Sequence, residues 1–137
     1  MRLKDQLIHY IKDTKYNIGF IDGSLKDVIE GGLPIKVNWL NHTYKDRWFA
    51  DPFILDVTDN EIWVLVEEWY DSIHRGRISK LVIDKQTYKL KDILVLLELE
   101  SHLSFPAIRR AQDGIYVYPE NSVTGKLTEY KYNPEKE

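Results

Sequence analysis

The sequence contains carboxylate side chains whose positions suit acid–base chemistry. Asp51 stands in an Asp-Pro pair, and Glu67 and Glu120 occupy equivalent positions in two similar segments. Two neighbouring carboxyl groups, one ionised and one protonated, can serve as general base and general acid. A recurring carboxylate equally fits a role in packing the segments, and an Asp before Pro often turns the chain. Glu68 follows Glu67 directly, so in a strand the two side chains point to opposite faces and do not form a catalytic pair.

Aromatic residues near these carboxylates can bind an apolar ligand surface. Trp48, Trp69 and Phe105 are candidates for stacking on a ligand ring, and His102 is a candidate hydrogen-bonding group. The alternative for the aromatic residues is packing within the fold, which is their usual role in β proteins. Trp39 and Trp63 are expected in the core.

Motifs for several other reaction classes are missing from the sequence. It has no cysteine, which excludes a disulfide scaffold, a thiolate zinc site and a cysteine nucleophile. Its histidines are not spaced as metal ligands, and it has no phosphate-binding glycine loop, HExxH pattern or serine nucleophile elbow. We therefore expect neither a metal nor a cofactor.

Length and composition limit the class of protein. The chain has 137 residues, of which 43% are apolar and 30% charged, and this is typical of one globular domain. Its net charge of −3 argues against a nucleic-acid partner. The sequence has no apolar run of the roughly 18 residues that a membrane span needs, and the charged N-terminus is not a signal peptide. These features predict a soluble, cytoplasmic protein without a membrane span.

The chain contains an internal repeat, and repeats decide the fold when they are present. Pro52 matches Pro106, Glu67 matches Glu120 and Gly76 matches Gly125, each within a longer similar block. The blocks follow one another in the same order in both copies. Turn pairs and alternating apolar residues predict that each block contains a β-strand. Pro119 should lie at an edge or a strand end, because proline has no ladder N–H group.

About four antiparallel strands in about 50 residues are the content of one β-propeller blade. We therefore predict an all-β fold, part of a propeller, with about two four-stranded antiparallel blades and a short helical N-terminal lead-in. The chain is read as a single domain, 1–137, with a lead-in over 1–46, a first blade repeat over 47–100 and a truncated second repeat over 101–137. A closed propeller has 4–8 blades, so we expect the natural protein to continue or several chains to assemble.

The lead-in is expected to combine short helices and strands. Leu3, Leu7, Ile8 and Ile11 have helical spacing. A second short helix is predicted from a capping box that starts at Ser24, and it should end near Glu30 before a Gly-Gly pair. The segments 16–21 and 35–40 have the composition of strands.

The order of the motifs resembles a known family. RWFADPF at 47–53 is followed by Glu67-Glu68 and by GRIS at 76–79, and then by HLSFP at 102–106 and YVYPENS at 116–122. This order is similar to the N-terminal propeller domain of glucosamine inositolphosphorylceramide transferase and its bacterial relatives. That domain in turn resembles the five-bladed propellers of family 43 glycoside hydrolases. The resemblance covers about residues 16–133.

Carbohydrate chemistry or carbohydrate recognition is what the resemblance implies. In family 43 enzymes the Asp of an Asp-Pro pair acts as general base, and Asp51 matches that position. The other two acidic groups of those enzymes lie on later blades; here Phe105 stands at the repeat position of Asp51, and a third blade would lie beyond Glu137. The catalytic candidates are thus Asp51 and, more weakly, Glu120. The substrate-binding candidates are Trp48, Glu67, Trp69, His102 and Phe105.

The sequence leaves two alternative functions open. The first is a carbohydrate-active or carbohydrate-binding propeller fragment whose partner is a glycan or a sugar-containing small molecule. If it is catalytic, it would be a glycosidic-bond hydrolase or a transferase-associated domain. The alternative is a non-catalytic structural or protein-interaction propeller fragment, and open blade edges would allow such a chain to self-associate.

Overall fold

The computed structural model describes residues 14–31 and 36–136. This part of the chain is mostly β, with three antiparallel sheets and one short α-helix, and the predicted all-β class is confirmed. None of the helices in these two ranges is long and apolar enough to cross a membrane.

The sheets follow one another along the chain. A two-stranded sheet pairs β1 (Gly19–Phe20) with β2 (Asn38–Trp39). A four-stranded meander follows, with β3 (Arg47–Val57), β4 (Glu61–Tyr70), β5 (Arg75–Asp84) and β6 (Leu90–Leu97). The third sheet contains β7 (Ser104–Ala111), β8 (Gly114–Glu120) and β9 (Tyr130–Lys131). A single 3₁₀ turn, Pro134–Lys136, ends the described chain.

The lead-in forms the predicted capped helix, α1 (Leu25–Gly31). The Asp27 amide donates to Ser24 Oγ at 3.1 Å, and the Ser24 amide donates to Asp27 Oδ2 at 3.0 Å, which is a reciprocal capping box. The flanking strands form but are only two residues long. The helix predicted around Leu3–Ile11 lies outside the described residues.

The sequence repeat is reproduced in the pairing of the strands. Cross-strand pairs of the meander recur at the repeat-equivalent positions of the third sheet. The matching pairs are Ala50–Glu67 with Ser104–Glu120, Phe53–Leu65 with Ala107–Tyr118, and Val64–Leu81 with Val117–Tyr130. The strands of the two sheets lie within 47–100 and 101–137, and the division into blade repeats stays a prediction.

The last block of the second repeat copy does not form the full strand that its sequence predicts. A strand was expected from Gly125 onward, but only Tyr130–Lys131 pairs with β8. Gly125 has a φ of 60° and lies in a turn, where the Thr124 hydroxyl donates to the Asn121 carbonyl. Because Gly tolerates this left-handed backbone, the segment turns instead of pairing. Pro119, as expected, lies near a strand end, one residue before the end of β8.

Side chains of the meander alternate between two apolar layers, as the period of a strand requires. One face, with Val64, Val66 and Leu81, packs against Ile18 and Leu40 of the lead-in. The other face packs against the third sheet, and this layer contains Leu55, Leu65, Trp63, Ile108 and Val117. The meander is therefore the central layer of the described fold.

The two tryptophans assigned to the core have different positions. Trp63 is partly buried and packs on the layer between the meander and the third sheet. The prediction for Trp39 is wrong, because its side chain is 60% exposed. Trp39 pairs with Gly19 across a two-stranded sheet, and its ring lies over this glycine at the surface.

Candidate functional site

Asp51 lies at an irregularity of β3 that faces the third sheet. The β3–β4 register shifts between Ala50 and Phe53, and Asp51 has a φ of 50°. This left-handed backbone is uncommon for a residue other than Gly, and it is unfavourable before proline. Phe105 has the same kind of backbone, with a φ of 45°, at the equivalent register shift of β7. The Phe105 amide donates to Asp51 Oδ2 at 3.1 Å, so the two bulges meet.

Glu67 is buried beside Asp51 and has a strongly perturbed carboxyl group. Its pairing with Ala50 across the β3–β4 hairpin brings it next to the bulge. Burial raises the pKa of Glu67 to about 7, and the charge of Asp51 and a hydrogen bond with it act in the same direction. The Asp51–Glu67 pair can therefore hold one proton near neutral pH, and so it can both donate and accept hydrogen bonds.

His102 reaches the same pair from the segment before β7. Its Nδ1 accepts a hydrogen bond from the Gly76 amide at 2.8 Å, and its Nε2 lies 3.4 Å from Glu67 Oε1. The Leu103 amide donates to the Gly76 carbonyl at 3.0 Å. Gly76 therefore binds the segment on both sides and holds His102 against Glu67.

Gly76 is required here because a side chain would not fit. A Cβ at this position would lie 2.5 Å from the Leu103 carbonyl oxygen, 2.7 Å from Glu67 Oε1 and 2.8 Å from His102 Cε1. These distances are far below van der Waals contact. The glycine that marks the start of a repeat block in the sequence thus allows the second copy to approach the carboxyl pair.

Aromatic rings line one side of the carboxyl pair. Trp48 and Trp69 are cross-strand partners whose rings stack at 5.5 Å with an interplanar angle of 3°. Tyr16 contacts Trp48 at 5.2 Å between ring centroids, and His102 lies 6.0 Å from Trp69. The rings of Trp48 and Trp69 are partly exposed, so they present an apolar edge beside the acidic groups.

The acidic pair and part of this aromatic row open into one pocket of about 440 Å³. Its lining consists of Tyr16, Asn17, Ile18, Gly19, Trp48, Ala50, Asp51, Pro52 and Glu67. The lining contains no Lys or Arg. Across residues 14–31 and 36–136, no group of three or more His, Asp or Glu side chains has the arrangement of a metal site.

Phe105 and Glu120 lie around a second, more apolar pocket of about 680 Å³. Phe105 is half-exposed, and its ring contacts Phe53 edge-on at 4.9 Å. Glu120 is exposed at the end of β8 and pairs with Ser104, as Glu67 pairs with Ala50. The structure thus brings Trp48, Asp51, Glu67, Trp69 and His102 together. Phe105 adjoins this group through its amide, and Glu120 lies in the other pocket.

The Glu68 side chain points to the face of the meander opposite to that of Glu67, as the alternation of side chains along a strand predicts. It is fully buried and binds Arg47 at 2.9 Å, Arg77 at 3.0 Å and Ser79 at 2.5 Å. The guanidinium groups of Arg47 and Arg77 also lie over the Tyr70 ring. This cluster neutralises a buried charge and is a structural feature of the lead-in face.

Sequence reasoning missed the pairing of Asp51 with Glu67 and the role of Gly76. The residues of the pair are 16 positions apart, and only the register of the β3–β4 hairpin brings them together. A signal was available: aligning the hairpin about its turn at 58–60 places Glu67 opposite Asp51, one residue from its actual partner Ala50. The register shift before Phe53 could not be read from the residue pattern.

Comparison with known proteins assigns the chain to a family. A family model described as "Glucosamine inositolphosphorylceramide transferase 1, N-terminal" matches residues 36–134. No curated protein and no solved structure matches the chain. The matched range contains both carboxyl groups of the site, Trp48, Gly76 and His102. It spans well over half of the sequence, so the chain belongs to the family of the N-terminal domain of glucosamine inositolphosphorylceramide transferase 1.

Proposed function

We propose that this chain is part of a β-propeller domain that binds a glycan in the pocket beside Asp51 and Glu67. The description of the family supports a glycosyltransferase-associated role for the chain. Two sheets with the same register, stacked face to face through one apolar layer, support the arrangement of successive propeller blades. The similarity to family 43 glycoside hydrolases belongs to the same proposal.

The observation that carries the proposal is a buried carboxyl pair beside partly exposed tryptophans. Asp51 accepts hydrogen bonds, and a protonated Glu67 also donates one, which suits the hydroxyl groups of a sugar. Trp48 lines the pocket and offers its ring to the apolar face of a pyranose, while Trp69 stacks on Trp48 and supports it.

The geometry favours binding over hydrolysis. Glycosidases keep their two carboxyl groups about 5–5.5 Å apart when they retain configuration and about 6.5–9.5 Å apart when they invert it. The pocket lining contains no carboxyl group besides Asp51 and Glu67, and these two come from neighbouring strands of one hairpin and do not flank a ligand from opposite sides. The Asp51–Glu67 pair is therefore proposed as a recognition element, with any transfer chemistry supplied elsewhere.

The second candidate function, protein interaction without sugar chemistry, is supported by a different surface. Leu127 is 75% exposed and lines the second, apolar pocket together with Phe105. Such a patch marks an association surface. It does not involve the Asp51–Glu67 pocket, so the two functions can be tested separately.

The function is tested by titrating the labelled chain with sugars and following the Trp indole N–H signals by NMR. The family description names glucosamine and inositol, so free glucosamine and free myo-inositol are the probes. For ligands of this size we expect a Kd on the order of 1 mM. The signals of Trp48 and Trp69 should shift, while that of Trp39, outside the pocket, should stay constant.

Substitutions test whether sugar binding depends on the pocket and not on other parts of the surface. Trp48→Ala and Asp51→Asn should each weaken binding about tenfold, because each removes one direct contact worth about 1.4 kcal/mol. Trp39→Ala and Asp56→Asn are the matched controls, since both residues are exposed and lie outside the pocket lining. Equal binding by all four variants, or no shift with either sugar, would contradict the proposal.

A further inference from the structure

We propose that His102 is a positioning residue for the carboxyl pair: the Gly76 amide fixes its neutral ring with the proton on Nε2, and this ring directs the proton of Glu67 to Oε2. The inference deepens the proposed glycan site. It is tested without any sugar, so its failure and the failure of the proposed function are distinguishable.

The first step concerns the two ring nitrogens of His102. A backbone amide can only donate a hydrogen bond, and the Gly76 amide lies 2.8 Å from Nδ1. Nδ1 must therefore accept, and it carries no proton. A neutral imidazole has one donor and one acceptor nitrogen, so Nε2 carries the proton.

The second step concerns the atom that Nε2 faces. Glu67 Oε1 is 3.4 Å from Nε2, which is longer than a normal hydrogen bond but close enough for the positive end of the N–H dipole to act on this oxygen. The dipole disfavours a proton on Oε1. When Glu67 holds a proton, the proton is then on Oε2.

The groups facing Glu67 come from three elements. Asp51 comes from β3, His102 from the segment before β7, and Gly76 from β5 contributes only its backbone. Because Gly76 has no side chain, Glu67 Oε1 and the His102 ring can both lie close to its Cα. The Leu103 amide, bound to the Gly76 carbonyl, prevents the segment from moving away.

This arrangement determines what the pair offers a ligand. With the proton on Oε2, an arriving sugar hydroxyl can replace the hydrogen bond within the pair: it accepts from the Oε2 hydroxyl and donates to the Asp51 carboxylate. A sugar hydroxyl can use both at once, because it is itself a donor and an acceptor.

The tautomer is tested first, on the unaltered chain without ligand. At pH 8, long-range ¹H–¹⁵N NMR spectra of the imidazole ring distinguish the two nitrogens. We expect the His102 pattern of an unprotonated Nδ1 and a protonated Nε2. A proton on Nδ1, or rapid exchange between the two forms, would overturn the proposal.

A second experiment follows the titration of the Glu67 carboxyl carbon by ¹³C NMR in two variants. The amide of His102→Gln reaches the place of Nε2 and keeps a donor near Glu67. The amide of His102→Asn reaches only the place of Nδ1, so it keeps the Gly76 bond and loses the donor. Loss of a donor to the ionised carboxylate should raise the midpoint in His102→Asn by about half a pH unit.

The comparison of the two variants separates positioning from a merely structural role. We expect the His102→Gln midpoint to stay close to that of the unaltered chain. Equal midpoints in all three proteins, or an equal shift in both variants, would show that His102 does not position the proton of Glu67.

Discussion

Glu67 and Glu120 show how equivalent residues of a repeat acquire different chemistry. Both are paired across the same kind of hairpin, with Ala50 and Ser104 as partners. Glu67 is buried next to Asp51, whereas Glu120 is exposed and has Phe105 at the position equivalent to Asp51. The difference therefore comes from one neighbouring side chain and from the layer that covers the first copy.

Replacing Glu67 by Gln should remove a pH dependence of stability. In the folded chain the pKa of Glu67 is raised to about 7, so the folded state holds this proton more tightly than the unfolded state. The stabilisation is fully present below about pH 4.5 and is lost as the pH rises through about 7. Glu67→Gln should thus be more stable than the unaltered chain at pH 8 by about 2 kcal/mol, with little difference at pH 4.5. Urea unfolding at both pH values measures this.

Glu120→Gln is the matched control for that experiment. It changes the repeat-equivalent carboxylate, which is exposed, and its pH profile should follow that of the unaltered chain. If Glu67→Gln also kept that profile, the carboxyl group of Glu67 would not be perturbed by its surroundings.

At the scale of the elements, the first residues of β5 hold the two copies of the repeat together. Gly76 pairs with Trp69 inside the meander and binds the segment at His102–Leu103 through both of its backbone groups. On the other face of the same strands, Arg77 and Ser79 bind the buried Glu68. One short stretch of β5 therefore supports the site on one side and the lead-in layer on the other.

Replacing Gly76 by Ala should destabilise the chain by about 1–3 kcal/mol, because the new methyl group overlaps the Leu103 carbonyl and Glu67. Gly31→Ala is the control, since a Cβ at Gly31 meets nothing within 4 Å. That variant should change the free energy of unfolding by less than about 0.5 kcal/mol. Thermal or urea unfolding compares the two. Similar stability for both variants would refute the close approach at Gly76.

Residues 14–31 and 36–136 form a stack of layers with an exposed apolar pocket beside the third sheet. The meander is covered by the lead-in on one face and by the third sheet on the other. Phe105 and Leu127, which are 50% and 75% exposed, line one apolar pocket beside the third sheet. An exposed apolar patch of this kind tends to associate with another surface.

We therefore expect the native mass of the chain, measured by light scattering, to increase with concentration. Leu127→Lys should reduce this association at least severalfold, because it places a charge in the apolar pocket. Leu25→Lys is the control, since Leu25 is equally exposed but lies on the lead-in helix. A monomer at every concentration, or equal effects of both substitutions, would contradict the role of this pocket.

Much of the fold could be predicted because its signals are local. Alternating apolar residues and turn pairs give β3 to β8, and Ser24 with Asp27 gives the capped helix. Trp39 was wrongly assigned to the core because burial depends on the layers around a strand and not on the residue type. The strand expected from Gly125 failed for a related reason, since pairing needs a neighbour along its whole length.

The sequence by itself determined the all-β class, the repeat and the identity of the residues around the site, because periodicity and residue type are properties of neighbouring positions. Only the tertiary structure decided that Asp51 and Glu67 form a pair, that His102 joins them and that Glu120 does not. These outcomes depend on a register shift in β3, on the missing side chain of Gly76 and on the burial of one copy by the next. Burial and distance between residues far apart in the chain determine the protonation of a carboxyl group, and they exist only once the sheets have packed.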